Sequence, residues 1–207
     1  MKNMNHRKQY VVLKRGLDII FSALLLFFLW LPMLCIAILI HFTSAGPVIF
    51  RQNRVGRNGK IFTCYKFRTM YRDAPSNRPT ATFTEAERFI TPVGRFLRRS
   101  SLDELPQFWN VLRGDMSIVG PRPLIPNEKE IHELRDRCGV YRLRPGLTGL
   151  AQISGRDDLN EREKARLDSR YVHRFGFAED MAIVLQTLGK IWTGAGVAQK
   201  RKISKGH

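Results

Sequence analysis

Residues 19–40 read IIFSALLLFFLWLPMLCIAILI, a run of 22 positions without a formal charge. As a straight helix it would measure ~33 Å, against a bilayer hydrocarbon core of ~30 Å. It is no cleaved signal peptide, because the apolar stretch is too long and no small-residue cleavage site follows. Both flanks are basic. Lys2, Arg7, Lys8, Lys14 and Arg15 stand before the run, opposed only by Asp18. Arg51, Arg54, Arg57, Lys60, Lys66, Arg68 and Arg72 follow it, ahead of the next acid at Asp73. Positive flanks prefer the cytoplasmic side, and here both ends ask for it. Pro32, near the middle, removes one backbone bond and crowds the preceding turn, which supplies a bend. The run reads either as a simple span or as a re-entrant helix that enters and returns on one side.

Charge sets the next limit. The 207 residues include 35 Lys and Arg against 18 Asp and Glu, for a net charge of +17. That sign suits nucleic acid, an anionic membrane surface or phosphorylated substrates. No helix-turn-helix, RNP or zinc pattern is present, so no nucleic-acid partner is expected. Cys35, Cys64 and Cys138 form neither a CxxC pair nor an even framework, which points to a reduced compartment and builds no zinc site.

Gly46-Pro47 breaks the chain after the apolar run. The expected division is a membrane-associated segment 1–44, a domain 45–195 on the cytoplasmic face, and a basic, disordered tail 196–207. Val48, Phe50, Ile61, Thr63, Tyr65 and Phe67 alternate around Asn58-Gly59, a β-hairpin signal with a primed turn. Residues 73–84 read as a mobile loop, and 119–123 and 142–149 as irregular rigid segments. Asn127 to Cys138 reads as a charged helix. Asn160-Glu161-Arg162-Glu163 has the form of a capping box opening a helix to about Phe175. Met181 to Trp192 is amphipathic and suits core or membrane interface, with Lys190 and Trp192 at its end favouring the interface. The class is α+β.

Inside the domain, two adjacent carboxylates, Asp103 and Glu104, follow the arginines Arg95, Arg98 and Arg99. Pro106 is tolerated only in the first turn of a helix. With Phe108, Trp109, Val111 and Leu112 behind it, a short helix starting near 102–105 is expected, capped by Ser101 or Asp103. On these residues alone a plain helix cap is the favoured reading of Asp103, ahead of a reactive carboxylate.

Five segments in order carry a resemblance: Tyr65-Lys66-Phe67-Arg68-Thr69-Met70; Val93-Gly94-Arg95-Phe96-Leu97-Arg98; Ser101-Leu102-Asp103-Glu104-Leu105-Pro106-Gln107; Gly114-Asp115-Met116-Ser117-Ile118-Val119-Gly120-Pro121-Arg122-Pro123; and Arg144-Pro145-Gly146-Leu147-Thr148-Gly149. From about Lys14 to Tyr171 the chain resembles the bacterial sugar transferases, the small monotopic phosphoglycosyl transferases of the bacterial inner membrane. The resemblance implies transfer of phospho-sugar from a UDP-sugar to polyprenyl (undecaprenyl) phosphate with release of UMP, an opening step of glycoconjugate or exopolysaccharide assembly. It implies a re-entrant helix, Asp103 as nucleophile through an aspartyl-phosphosugar intermediate, Mg²⁺ held against an Asp103 oxygen, and Glu104 handling a proton on the carrier. Many members place Ser before the bend proline, whereas Leu31 stands here. The chain resembles the minimal type, without added transmembrane helices.

The basic residues then sort into candidates. Arg122, locked between Pro121 and Pro123, suits a phosphate clamp. Arg98 is a similar candidate, or else a structural ion pair with Asp168. Lys66 and Arg68 share a strand parity and so a face, for substrate or for solvent. Arg144 precedes Pro145 in a second rigid turn. Asp168 and Tyr171 are an i, i+3 pair that matches a family motif near the site, with packing the alternative for Tyr171. Lys14 and Arg15 at the interface suit the carrier phosphate or generic contact with membrane lipids. A membrane-anchored phosphatase using the same carboxylate is the rival activity. A homodimer stays open.

Overall fold

The computed structural model describes residues 2–75, 86–155 and 158–193. Most of the expected loop 73–84 and the tail 196–207 lie outside the described residues. The class is α+β, with one long apolar helix and two small sheets.

Helix α1 (Lys2–Thr43) takes in the whole apolar run and continues through Pro32 as one helical element. Pro32 brings no N–H, so the Phe28 carbonyl has no i+4 donor. Both ends of α1 are fastened to the same domain. Near the start, Asp18 accepts from the Ile118 N–H at 3.1 Å. Near the end, Ile40 is 1% exposed in a cluster with Phe67 and Leu97, against which Met33, Ile36 and Ala37 also pack. Between these anchors Phe27, Phe28 and Trp30 are exposed.

Strands β1 (Ile49–Val55) and β2 (Ile61–Phe67) pair antiparallel, Ile49 opposite Phe67 and Val55 opposite Ile61. Asn58 (φ 56°) and Gly59 (φ 73°) turn the hairpin through the left-handed region, as a primed turn requires. The inner edge of β2 meets α3 (Gln107–Arg113) through one fully buried side chain. Asn110 donates to the Thr63 carbonyl at 2.7 Å and accepts from the Tyr65 N–H at 3.1 Å. Among the described residues that amide continues the ladder where the sheet has no third strand.

The segments expected to be irregular are mostly so, yet each also takes part in a short pairing. β3 (Ser117–Val119) and β4 (Gly146–Thr148) form a parallel sheet, with Gly120 N–H on Thr148 O at 2.8 Å and Gly146 N–H on Pro121 O at 2.9 Å. Three-residue strands flanked by Gly and Pro offer no alternation to read. A Cβ on Gly146 would lie 2.1 Å from the Gly120 nitrogen, so the crossing tolerates no side chain. The remaining helices are α2 (Pro92–Ser100), α4 (Lys129–Arg137), α5 (Leu150–Ser154), α6 (Glu161–Arg174) and α7 (Phe177–Thr193). The capping box of α6 is present in both directions, each bond 2.9 Å.

Candidate active site

Helix α2 is opened by Thr91, whose hydroxyl accepts from the Gly94 N–H, and closed by Ser101 at φ 58°. The left-handed turn at Ser101 reverses the chain into a 3-10 turn, Leu102–Glu104, before α3 begins. The expected helix start near 102–105 is therefore displaced: Pro106 takes the cap position of α3, and it has no side-chain acceptor. Asp103 sits in the tighter turn, 8% exposed. Glu104 accepts from Lys66 Nζ at 2.6 Å across the hairpin.

Around this pair the charge is positive. Lys66, Arg54 and Arg122, together with Glu104, all act on the buried Cys64 thiol, which burial pushes upward. Arg54 donates to the Pro123 carbonyl at 3.0 Å, and burial, then neighbouring Arg122, lower it to about 10. Two guanidiniums and an ammonium thus gather around Cys64 and Glu104, an arrangement suited to a polyanion. Arg54 was legible only through the hairpin register, which puts it on the Cys64 and Lys66 face.

The Arg122 segment is held from behind. Arg135 (2% exposed) donates to the Arg122 carbonyl at 2.8 Å and to Asp168 Oδ2 at 2.9 Å from Nε and 2.5 Å from Nη2. Asp168 therefore pairs with Arg135, not with Arg98, and acts on the site through that guanidinium. Burial raises its carboxyl, with Arg135 opposing. Arg98 donates from Nε to the Thr69 hydroxyl at 2.9 Å.

Several sequence candidates have partners within the fold. Arg68 is buried, with its donors on Ala45 O at 2.8 Å, Ser44 O at 2.6 Å and Ser44 Oγ at 2.8 Å, closing the end of α1. It continues the strand register of Lys66, its N–H donating to the Val48 carbonyl at 2.9 Å, but its guanidinium is taken up at the end of α1 while Lys66 reaches Glu104. Arg15 caps α3, donating to Val111 O at 2.6 Å and Leu112 O at 2.9 Å, and Arg144 donates to Gly114 O at 2.9 Å. Tyr171 is buried and donates to Asp180 Oδ1 at 2.7 Å; burial foremost, then Asp180, raises its phenol. Lys14 meets Asp180 Oδ2 at 2.5 Å, and Tyr10 donates to the same oxygen at 2.6 Å. Lys14, Arg15, Arg144 and Tyr171 line one small cavity of about 50 Å³ with Asp18 and Arg57. Asp180, Arg135 and Asn110 were not singled out in the sequence, since each is defined by partners far along the chain.

The bacterial sugar transferase family model matches residues 9–194. Exopolysaccharide production protein ExoY of Rhizobium meliloti is 36% identical over 199 residues, 88% of this chain and 87% of that protein. The undecaprenyl-phosphate galactose phosphotransferase of Salmonella typhimurium is 40% identical over 197 residues, 84% of this chain. The UDP-glucose:undecaprenyl-phosphate glucose-1-phosphate transferase of Escherichia coli is 40% identical over 186 residues, 86% of this chain. The chain spans 39% and 40% of the length of those last two relatives.

Proposed function

Because the chain belongs to the bacterial sugar transferase family, we propose that it moves a sugar 1-phosphate from a UDP-sugar to polyprenyl phosphate at the cytoplasmic face of the inner membrane. The observation that carries this reading is Asp103, buried in its turn next to Glu104, which pairs with Lys66 on the hairpin face that also carries Arg54. The relatives' names, which specify undecaprenyl phosphate and a UDP-sugar, supply the two substrates.

The chemistry follows from charge and position. Lys66, Arg54 and Arg122 offset the donor diphosphate and hold it against Asp103. An Asp103 oxygen attacks the sugar-proximal phosphorus, the bond to UMP breaks, and UMP leaves with the electron pair. A carrier phosphate oxygen then attacks the same phosphorus, the aspartyl bond breaks, and Asp103 is regenerated. Glu104 takes or relays the carrier's proton.

Among the described residues there is no cluster of three or more metal-ligating side chains. Mg²⁺ still fits this donor set, since it uses one or two carboxylates with substrate phosphates and water. Asp103 would hold it, and the bound ion would offset diphosphate charge.

The membrane reading is monotopic. Only residues 19–32 lie between the anchors at Asp18 and Met33, ~21 Å of helix against a ~30 Å hydrocarbon core. One domain holds both ends, which favours a dip into one leaflet over a span. Phe177, Met181, Leu185, Leu188 and Trp192 form an exposed apolar stripe along α7, which suits the interface.

Incubation with radiolabelled UDP-sugar and polyprenyl phosphate tests the function. Lipid-linked sugar should form, and label should stay on denatured wild-type protein but not on Asp103→Asn. Absence of lipid-linked sugar, with UMP released regardless of the carrier, would leave a hydrolase. Single cysteines near residues 5 and 55 should label from the same side of the membrane; opposite sides would rule out the re-entrant helix.

A further inference from the structure

A groove of about 490 Å³ lies beyond the carboxylate site, between β1 at Arg51, Gln52 and Asn53 and the segment Ile125–Asn127. That volume is in the range of small-molecule sites. Its lining has no part in the chemistry described above.

The first wall is an unfinished sheet edge. Val55 N–H points outward to the Leu124 carbonyl at 2.9 Å, and alternate residues of an antiparallel strand point the same way. Arg51 and Asn53 therefore aim their N–H and C=O into the groove. Among the described residues nothing bonds to those backbone groups. Each such residue offers a donor and an acceptor side by side. The imide edge of uracil, an N–H beside a carbonyl, is the complement.

The second wall is built in advance. The Ile125 N–H donates to Glu128 Oε2 at 2.9 Å, and the Ile125 carbonyl meets His132 Nε2 at 2.8 Å. Ile125 and Pro126 give an apolar surface for a flat ring, while Asn53 and Asn127 bring amides that suit ribose hydroxyls. A wall fixed before binding lowers the ordering cost.

The groove also meets the site at the right point. Gln52 accepts from Arg54 Nη2 at 2.5 Å. It lies opposite Cys64, two residues before Lys66 on the same face, so Lys66 is a diagonal neighbour some ~7–8 Å away. A diphosphate at Lys66, Arg54 and Arg122 leaves its nucleoside at the mouth of the groove.

We propose that this groove seats the uridine of the donor, its base paired to the free edge of β1, an assignment that rests on the transferase reading. Asn53→Trp and Asn127→Trp, both at exposed positions, would fill it without touching the carboxylates. With the purified full-length protein, donor KM and the inhibition constant of UMP should rise together, by at least about tenfold, ~1.4 kcal/mol. The carrier KM and the melting midpoint should stay at wild-type values. A raised donor KM with unchanged UMP inhibition would overturn the assignment and give the groove to the sugar. Unchanged values in both variants would also overturn it. Calorimetric UMP binding needs no turnover, so it keeps the two readings apart. Wild type that makes no lipid-linked sugar refutes the function; wild type and variants that bind UMP equally refute the groove.

Discussion

Replacing Arg135 with Met tests the support behind Arg122. Met keeps much of the apolar stem of Arg135 while removing its charge. Asp168, 1% exposed, then loses the partner of Oδ2, and its Oδ1 already has none. Lys164, the smallest of the influences on that carboxyl, does not replace a guanidinium at 2.5 Å. Breaking a buried pair from one side costs about 3–5 kcal/mol. An independent bound agrees: the orphaned carboxyl can escape by taking a proton. Protonating an Asp of reference pKa about 3.9 at pH 7 costs about 4.2 kcal/mol, at 1.36 per unit. The sign then follows. The folded variant binds a proton that its unfolded chain lacks above pH 4, so its stability falls as pH rises. The deficit against wild type should shrink as pH falls, from at most about 4 kcal/mol at pH 7 to at most about 1.5 at pH 5, since the wild-type carboxyl is itself raised. In thermal melts the pH 7 deficit corresponds to about 8–16 °C. Asp168→Leu added to Arg135→Met should recover most of it, because the uncompensated charge is gone. A loss under about 1 kcal/mol, or one independent of pH between 5 and 7, would refute the pairing.

Asn110→Leu leaves the Thr63 carbonyl and the Tyr65 N–H without their buried partner, so melting should show a loss of about 2–5 kcal/mol. Gly146→Ala forces a Cβ to 2.1 Å from the Gly120 nitrogen; the protein should fail to give a cooperative melt, while Gly16→Ala, which meets nothing within 4 Å, should melt as wild type. Arg15→Lys loses the fork on Val111 O and Leu112 O and should cost about 1 kcal/mol in the same assay. A water-soluble maleimide should modify the exposed Cys138 in the folded protein. Cys64, buried and with its thiol pushed upward, should react only after unfolding; mass mapping of the adducts distinguishes the two.

Local signals carried the parts of the fold that depend on neighbouring residues. The apolar run, the Asn58-Gly59 turn and the Asn160 capping box are properties of chain period and φ preference, and each lies where its pattern places it. Asp103-Glu104 stood out in the sequence because two carboxylates, a proline and a motif order coincide within a few positions. Its cap geometry was not, because the left-handed Ser101 inserted a 3-10 turn that residue preferences do not announce.

The sequence by itself determined the apolar helix, the basic face, the hairpin and the order of motifs that marks the family. Tertiary structure alone decided which charges meet. Lys66 and Arg68, two residues apart, diverge because one reaches Glu104 and the other is drawn into the end of α1. Asp168 found Arg135 rather than Arg98, and Ser117–Val119 paired in parallel with Gly146–Thr148. A buried charge or backbone group must be satisfied by whatever the fold brings within hydrogen-bond distance. That partner is set by packing between distant segments, 33 residues apart for Arg135 and Asp168, and no local pattern encodes it.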